Sequence, residues 1–499
     1  MTTNGTANGT PAFEFSAKNL PLKLFINNEY VDSKSGKLLT VYNPKDKSLV
    51  SDKVPLANEH DVDAAVAAAE AALPAWKKIT ASQRRDIMLK FADLLVKHTE
   101  ALAELTRITL GAPFGSFGAF EVGLAAEAFK YNAGWVDKFL GDAVPQENGF
   151  MQITRNEPLG VTAGIVPWNG PLGTVGLKAA PALATGNCFI LKPSEKTPFA
   201  AAALGPLIKE AGFPPGVFQV LTGDGSTGAI IASHMRIRKV SFTGSIPTGK
   251  KIQEMASKSN LKRVTLELGG KSPAVVFDDC NLDNAVTWCA NALAANTGQV
   301  CFAATRVYVQ EGIFEKFSKL YKEKLEDKAK TVGDPDKEGT QMGPLVDEAQ
   351  YSRVNGFIER GVSGKQGTLL TGGKKADSSG YYVEPTVFTG VSADAEIYSN
   401  EIFGPVSVLN SFKTEEEVIK AANATEYGLM AGVFTQDINK ALRVASEFDS
   451  GMVGINCVSL TFLTAPFGGS KESGLGRECG RAALQAFTEP KTIMINMTY

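Results

Sequence analysis

An α/β fold with two parallel sheets is what this sequence predicts, and three observations carry it. Between residues 160 and 270 short apolar runs alternate with helical patterns, as a parallel sheet with crossover helices requires. A second alternation of the same kind begins after Gly270. At 499 residues the chain exceeds one ordinary core, so two or three domains are expected.

Taken in order, residues 1–20 open on Asn-Gly-Thr repeats and read as a disordered tail. Residues 22–43 read as short strands around Asn27-Asn28. Asp61-Val62-Asp63 places acids in the first turn of an Ala-rich helix reaching Ala72. A longer helix is expected over about 81–110, with Ile87, Phe91, Leu94 and Leu95 on one face. The first sheet should draw its strands from 161–166, 188–191, 217–221, 240–242 and 264–268, with helices at about 174–185, 197–211, 226–234 and 247–258 between them. The second pattern runs through strand 273–277, helix 281–297, strand 305–309 and helix 314–328. An exposed Gly- and Lys-rich turn at 364–379, a helix at 414–424 and a β-rich tail at 492–498 complete it.

Composition removes several function classes. Lys+Arg number 51 against Asp+Glu 53, a net charge of −2, so no broad basic face exists for nucleic acid or anionic lipid. No apolar run approaches the ~20 residues of a membrane helix, and no secretory or transit pattern opens the chain. Six thinly spread cysteines and three histidines supply no clustered metal ligands, so no metal centre is expected. So few cysteines also suit free thiols in a reducing compartment, which makes a cytoplasmic location the expectation.

Parallel sheets bind ligands beyond the carboxyl ends of their strands. The residues there are Pro167-Trp168-Asn169, Lys192-Pro193-Ser194-Glu195, Gly223-Asp224-Gly225 and Thr243-Gly244-Ser245. The last runs into a helix, whose free N–H groups suit a pyrophosphate. Gly223, Gly225 and Gly228 make a literal G-x-G-x-x-G, a weak signal among 49 glycines. A strand-end carboxylate at Glu195 beside Lys192 can take both ribose hydroxyls of an adenosine and repel a 2′-phosphate, favouring NAD over NADP; a solvated Lys/Glu turn explains the same residues equally well. The stretch from Glu267 to Cys301 concentrates the chemistry. A carboxylate at a glycine-softened strand end and a thiol after a long apolar helix suit a nucleophile with a general base. Taken alone, a buried structural cysteine and a solvated glutamate would be the commoner explanation.

In order along the chain stand Pro167-Trp168-Asn169, Leu191-Lys192-Pro193-Ser194-Glu195, Phe242-Thr243-Gly244-Ser245, Glu267-Leu268-Gly269-Gly270-Lys271, Gly298-Gln299-x-Cys301, Glu401-Ile402-Phe403-Gly404-Pro405 and Pro466-Phe467-Gly468-Gly469. By these motifs, and by the Glu267-to-Cys301 separation, the chain resembles the NAD(P)-dependent aldehyde dehydrogenase superfamily over about residues 20–498, nearest its tetrameric, broad-specificity, non-acylating branch. The resemblance implies that Cys301 adds to the aldehyde carbonyl, that Asn169 and the Cys301 N–H form an oxyanion hole, and that Glu267 activates the hydrolytic water. Fixed donors at a developing oxyanion are worth ~3 kcal/mol or more of barrier. It further implies that Lys192, Ser194 and Glu195 hold the adenosine ribose, Ser245 the pyrophosphate and Glu401 the nicotinamide ribose. Val166, Trp168, Gly225, Phe242, Gly244, Leu268 and Phe403 would line the rest of the NAD path. The implied domains are an NAD-binding domain from 21–138 and 156–269, a catalytic domain from 270–479, and an oligomerisation element from 139–155 and 480–499. That element would build a homotetramer as a dimer of dimers, with a plain dimer as the alternative.

Departures from the branch concern the substrate. Gly170 and Thr461 stand where those relatives often place aromatics; Thr174, Leu177, Val300, Phe302 and Phe467 complete the expected pocket, although Leu460, Phe462 and Leu463 could refill it. Lost aromatic volume implies a wider tunnel for a bulky, ring-bearing or terpenoid aldehyde. Lys178 and Glu472 are candidates for a proton path or, more plainly, a structural ion pair, and His60, His98 and His234 for surface or capping positions. Two other readings remain, a cofactor-independent thiol esterase and a non-catalytic ligand-binding relative. The first leaves Lys192, Glu195, Ser245 and Glu401 without purpose; the second tolerates loss of Cys301 or Glu267, and both are present.

Overall fold

The structure is a computed structural model that describes residues 13–374 and 379–498. Of the tail expected over 1–20, residues 1–12 lie outside the described residues, but the remainder is fastened down. Phe13 packs on His98, Phe15 on Tyr30, and Ser16 bridges Asn19. Part of the turn expected at 364–379 also falls outside; its described portion contributes the strand Thr368–Thr371.

Eight strands form the first sheet, in the order Gly474–Leu475, Arg263–Glu267, Lys239–Thr243, Val161–Ile165, Cys188–Lys192, Phe218–Val220, Leu24–Ile26 and Glu29–Val31. The middle five are parallel. Val161–Ile165 and Cys188–Lys192 are buried along their whole length, as a sheet covered on both faces demands. Each large apolar side chain so buried contributes roughly 1.5–3 kcal/mol. The chain runs outward from Val161–Ile165 through two strands and returns to its other side at Lys239–Thr243, which opens a crevice at their carboxyl ends.

A seven-stranded sheet follows, ordered Thr368–Thr371, Thr386–Thr389, Val406–Phe412, Ala304–Gln310, Ser272–Val276, Met430–Phe434 and Met452–Ile455, and parallel except for its first strand. Thr488–Asn496, Phe150–Pro158 and Ala143–Glu147 make a separate three-stranded antiparallel sheet, with Ile493 opposite Ile153. The strand Phe150–Pro158 continues beyond residue 155, and Leu484 of the helix Gly480–Ala486 and Phe487 after it pack into the first sheet's core.

Local chemistry explains where helices differ from expectation. Asn58 and Asp61 form a capping box that starts the first helix at Glu59 and carries it to Lys78. The single helix expected at 81–110 is two, Ala81–Lys97 and Thr99–Leu110, broken at His98 where the Thr99 hydroxyl turns back onto the Val96 carbonyl. The helix expected at 281–297 ends at Ala294. No single helix among the described residues is long and apolar enough to cross a membrane.

Candidate active site

Between the two large sheets lies a cavity of about 1160 Å³. Every residue expected at the site lines it except Glu267. Strand ends of the first sheet supply Val166, Trp168 and Asn169, then Lys192, Ser194 and Glu195, and then Phe242, Gly244 and Ser245. The Lys192 ammonium stands 3.6 Å from the Glu195 carboxylate, and burial pulls its pKa down. Ser245 precedes the helix Ile246–Lys258, with its hydroxyl on Thr248 at 2.9 Å and no side-chain bond to the helix N–H groups. Gly225 has open space where a Cβ would stand, and the Thr243 hydroxyl is buried without a partner. Free N–H donors, a spare hydroxyl and unfilled space at glycine are what a dinucleotide needs, so these residues fit one. Trp168 and Phe403 meet edge to face at 5.2 Å, and Gln350 holds Phe403 in a left-handed conformation through a 2.7 Å bond to its carbonyl.

Cys301 is aimed by strained backbone. After Ala294 the chain turns through Asn296 and Thr297 at φ 45° and 56°, unfavourable for any side chain and most so for a β-branched one. Two hydrogen bonds hold the turn: Asn296 Nδ2 donates to the Asn169 carbonyl at 3.1 Å, and the Thr297 hydroxyl to the Gly343 carbonyl at 2.8 Å. Gly298 follows at φ 72°, where a Cβ would collide with the Gly404 carbonyl at 2.3 Å. Gly270 lets the Cys301 carbonyl pass just as closely, which answers the glycine-softened strand end seen in the sequence. Asn169 spends one amide proton on the Gln299 carbonyl at 2.9 Å and keeps the other.

Two buried carboxyls flank the thiol on different terms. Glu401 accepts the Gly270 N–H at 2.9 Å; burial nevertheless raises it to about 7, against the pull of that bond, Lys271 and Arg353. Glu267 is 2% exposed, stands against Gly468, and has no hydrogen-bond partner for either oxygen. Burial, then Glu478, hold it well above the usual carboxylate range, while Lys178 and Arg477 oppose. Burial also raises the Cys301 thiol, and Glu401 and Glu267 raise it further. Burial thus works against the charged form of both the thiol and the carboxyl behind it.

Lys178 pairs with Glu478, not with Glu472, which bonds Lys250 at 2.7 Å on the surface. Both members of the buried pair reach Ser241, at 3.1 and 3.0 Å. His98 and His234 close helices, as their positions suggested. On the substrate side the wall comprises Gly170, Thr174, Leu177, Val300, Phe302, Thr461 and Phe467, with Phe302 edge-on to Phe467 at 5.7 Å. Phe462 and Leu463 enter it as well, but Leu460 does not. The sequence reading missed Phe117, Phe120, Glu121 and Leu124, which belong to the π-turn Phe114–Gly118 and the helix Ala119–Ala133, and also Gln350, Arg353, Tyr427 and Cys479. None carries a local motif; the helical spacing of Phe117, Glu121 and Leu124 was the one available signal.

Comparison with known proteins agrees with this geometry. The family model described as "Aldehyde dehydrogenase family" matches residues 30–493. An aldehyde dehydrogenase of Agaricus bisporus is 43% identical over 98% of this chain and 98% of its own, and retinal dehydrogenase 2 of Homo sapiens 45% identical over 95% and 92%. Among solved structures, an NAD+ complex of a Bacillus cereus aldehyde dehydrogenase superposes with a TM-score of 0.92 at 40% identity, covering 95% of this chain and 96% of that one. An indole-3-acetaldehyde dehydrogenase of P. syringae, solved with NAD+ and IAA, gives 0.93 at 37% identity, covering 96% and 98%. The fold thus recurs in proteins matched nearly end to end, and the chain belongs to the aldehyde dehydrogenase family.

Proposed function

We propose that this enzyme oxidises a bulky aldehyde to its carboxylic acid with NAD, through a covalent intermediate on Cys301. One observation carries the reading: a single cavity joins a dinucleotide-shaped groove to an apolar funnel, and the thiol lines it together with both. Bound along the strand ends from Lys192 to Glu401, NAD supplies the acceptor for the hydride that leaves the aldehyde carbon. The Cys301 sulfur adds to that carbon, giving a thiohemiacetal whose oxygen is held by the free Asn169 amide proton and the Cys301 N–H. As a carboxylate, Glu267 takes the thiol proton, gives it up to solvent, and then takes a proton from the water that hydrolyses the thioester. A buried carboxyl with no partner suits both tasks, since nothing in the resting protein competes for its oxygens.

Gly170 and Thr461 leave the funnel wide, which supports a ring-bearing or isoprenoid substrate; the retinal and indole-3-acetaldehyde enzymes are named for substrates of that size. Six free thiols suit a reducing, cytoplasmic setting. The three-stranded sheet exposes Val144, Phe150, Met494, Ile495 and Met497, apolar surface that assembly into a homotetramer through this sheet's edges would cover. A cofactor-free esterase would have no use for Lys192, Glu195, Ser245 and Glu401 along this cavity.

The test follows NADH absorbance across aliphatic, aromatic and isoprenoid aldehydes, beside Cys301→Ala. Ring-bearing aldehydes should surpass acetaldehyde in kcat/KM, and the alanine variant should lose activity by about 10⁴-fold or more. Native turnover by that variant overturns the mechanism; an advantage for acetaldehyde overturns the substrate class.

A further inference from the structure

We propose that Glu121 selects among aldehydes by accepting a hydrogen bond from a hydroxyl or ring N–H on the substrate's tail. This rests on the aldehyde oxidation proposed above and adds to it the polarity of the substrate.

Glu121 is 4% exposed, yet it lines the cavity. One carboxylate oxygen, Oε2, takes the backbone N–H groups of Leu172 and Gly173, at 3.3 and 3.0 Å. It thereby caps, from a neighbouring helix, the start of Gly173–Ala184, whose own first residues have no side-chain cap. The other oxygen, Oε1, has no donor among the described residues. What lies above it is missing side chain: a Cβ on Gly170 would come within 3.4 Å of Oε1 and 3.5 Å of Oε2. Gly170 is thus a window onto the acid rather than merely added volume. It directly follows Asn169, the residue placed at the reacting carbonyl, so the window opens onto the first part of the tail.

Around this window the side chains are mostly apolar, although the funnel also carries the Thr461 hydroxyl. Thr174 turns its hydroxyl back onto the Gly170 carbonyl, and its methyl carbon is the atom that would face a Gly170 side chain, at 3.6 Å. Phe117, Phe120, Leu124 and Leu177 are apolar. Burial has raised the Glu121 carboxyl to about 7, against the pull of the Gly173 and Leu172 N–H groups. A buried acceptor in a mostly apolar wall is how a pocket fixes orientation, and a site built to hydrogen-bond a substrate disfavours the analogue that cannot.

The experiment measures kcat/KM with NAD for phenylacetaldehydes carrying 3- or 4-hydroxyl groups and for their methoxy counterparts. Indole-3-acetaldehyde is set beside its N-methyl derivative, and assays run above the pH at which Glu121 ionises. Wild type should prefer the donor-bearing member of at least one pair by about tenfold. In Glu121→Gln the side-chain carbonyl must keep facing the two N–H groups, so the amide NH₂ takes the place of Oε1. The preference should then fall to unity or pass to the methoxy compound. Gly170→Ala, which lays a methyl across the acid, should shrink the same ratio. A purely structural capping role would leave these ratios unmoved, because each compares two substrates on one variant. Ratios of unity in wild type, or an unchanged ratio in Glu121→Gln, overturn the assignment while leaving aldehyde oxidation standing. Failure to oxidise any of the set overturns both.

Discussion

Along the cofactor wall the residues that touch the cavity cluster at the strand ends of one sheet and the helix that follows Ser245, whereas along the funnel they come from helices and loops far apart in the chain. Lys192, Thr243 and Glu267 close three strands of one parallel sheet, and the register fixes where each points. The funnel joins Phe120 from one helix, Leu177 from another and Thr461 from a loop that follows the last strand of the other sheet. A side chain at a strand end keeps the direction that the sheet's backbone pairing gives it. A funnel residue can change and disturb only the packing around it, so specificity is free to drift over a fixed cofactor groove.

Glu267→Gln tests what the two walls share and should show the largest effect. Its amide cannot take a proton, so turnover falls about 10²–10⁴-fold with either wall untouched. NADH should still appear in a burst stoichiometric with enzyme if the loss is in hydrolysis; its absence would place Glu267 in the first step instead. Next comes Gly170→Phe, whose ring would fill the funnel. The kcat/KM for ring-bearing aldehydes should fall about 10–100-fold, with the KM for NAD within about twofold of wild type. A comparable rise in that KM would break the separation of the walls. Conversely, Glu195→Gln should raise the KM for NAD about tenfold and narrow the preference over NADP, with the ranking of aldehydes unchanged.

The smallest effect concerns a property both walls have in common, one buried carboxyl each at about 7. A carboxyl whose folded value lies above its unfolded 4.5 favours the folded state while protonated, and that advantage is lost as pH rises from about 4.5 to about 7. Glu121→Gln removes one such loss. Its Tm relative to wild type should therefore climb by one or two degrees, to order of magnitude, between pH 5 and pH 8. A flat difference would mean that Glu121 is not held neutral.

The same contrast decides how much the sequence disclosed. Periodicity located the five parallel strands of the first sheet but only Ser272–Val276 and Ala304–Gln310 of the second, and strand ends there present contiguous words such as Lys192-Pro193-Ser194-Glu195, so the expected cofactor wall came from sequence neighbours. Glu121 could not, because its partner Gly173 and its window Gly170 lie some fifty residues away and meet it only through packed helices. Glu472 drew attention by its motif, whereas Glu478, the buried partner of Lys178, stands in unremarkable sequence. Helix boundaries failed where one residue overrode the pattern, as at His98 and at the left-handed turn of Asn296-Thr297.

That turn has a consequence for durability. Its two torsions are held by Asn296 on the segment bearing Asn169 and on Gln299, and by Thr297 on Gly343, so loosening these anchors lets the backbone relax. Warming should accordingly silence the enzyme while circular dichroism still reports intact sheets and helices, and early damage of this kind would reverse on cooling.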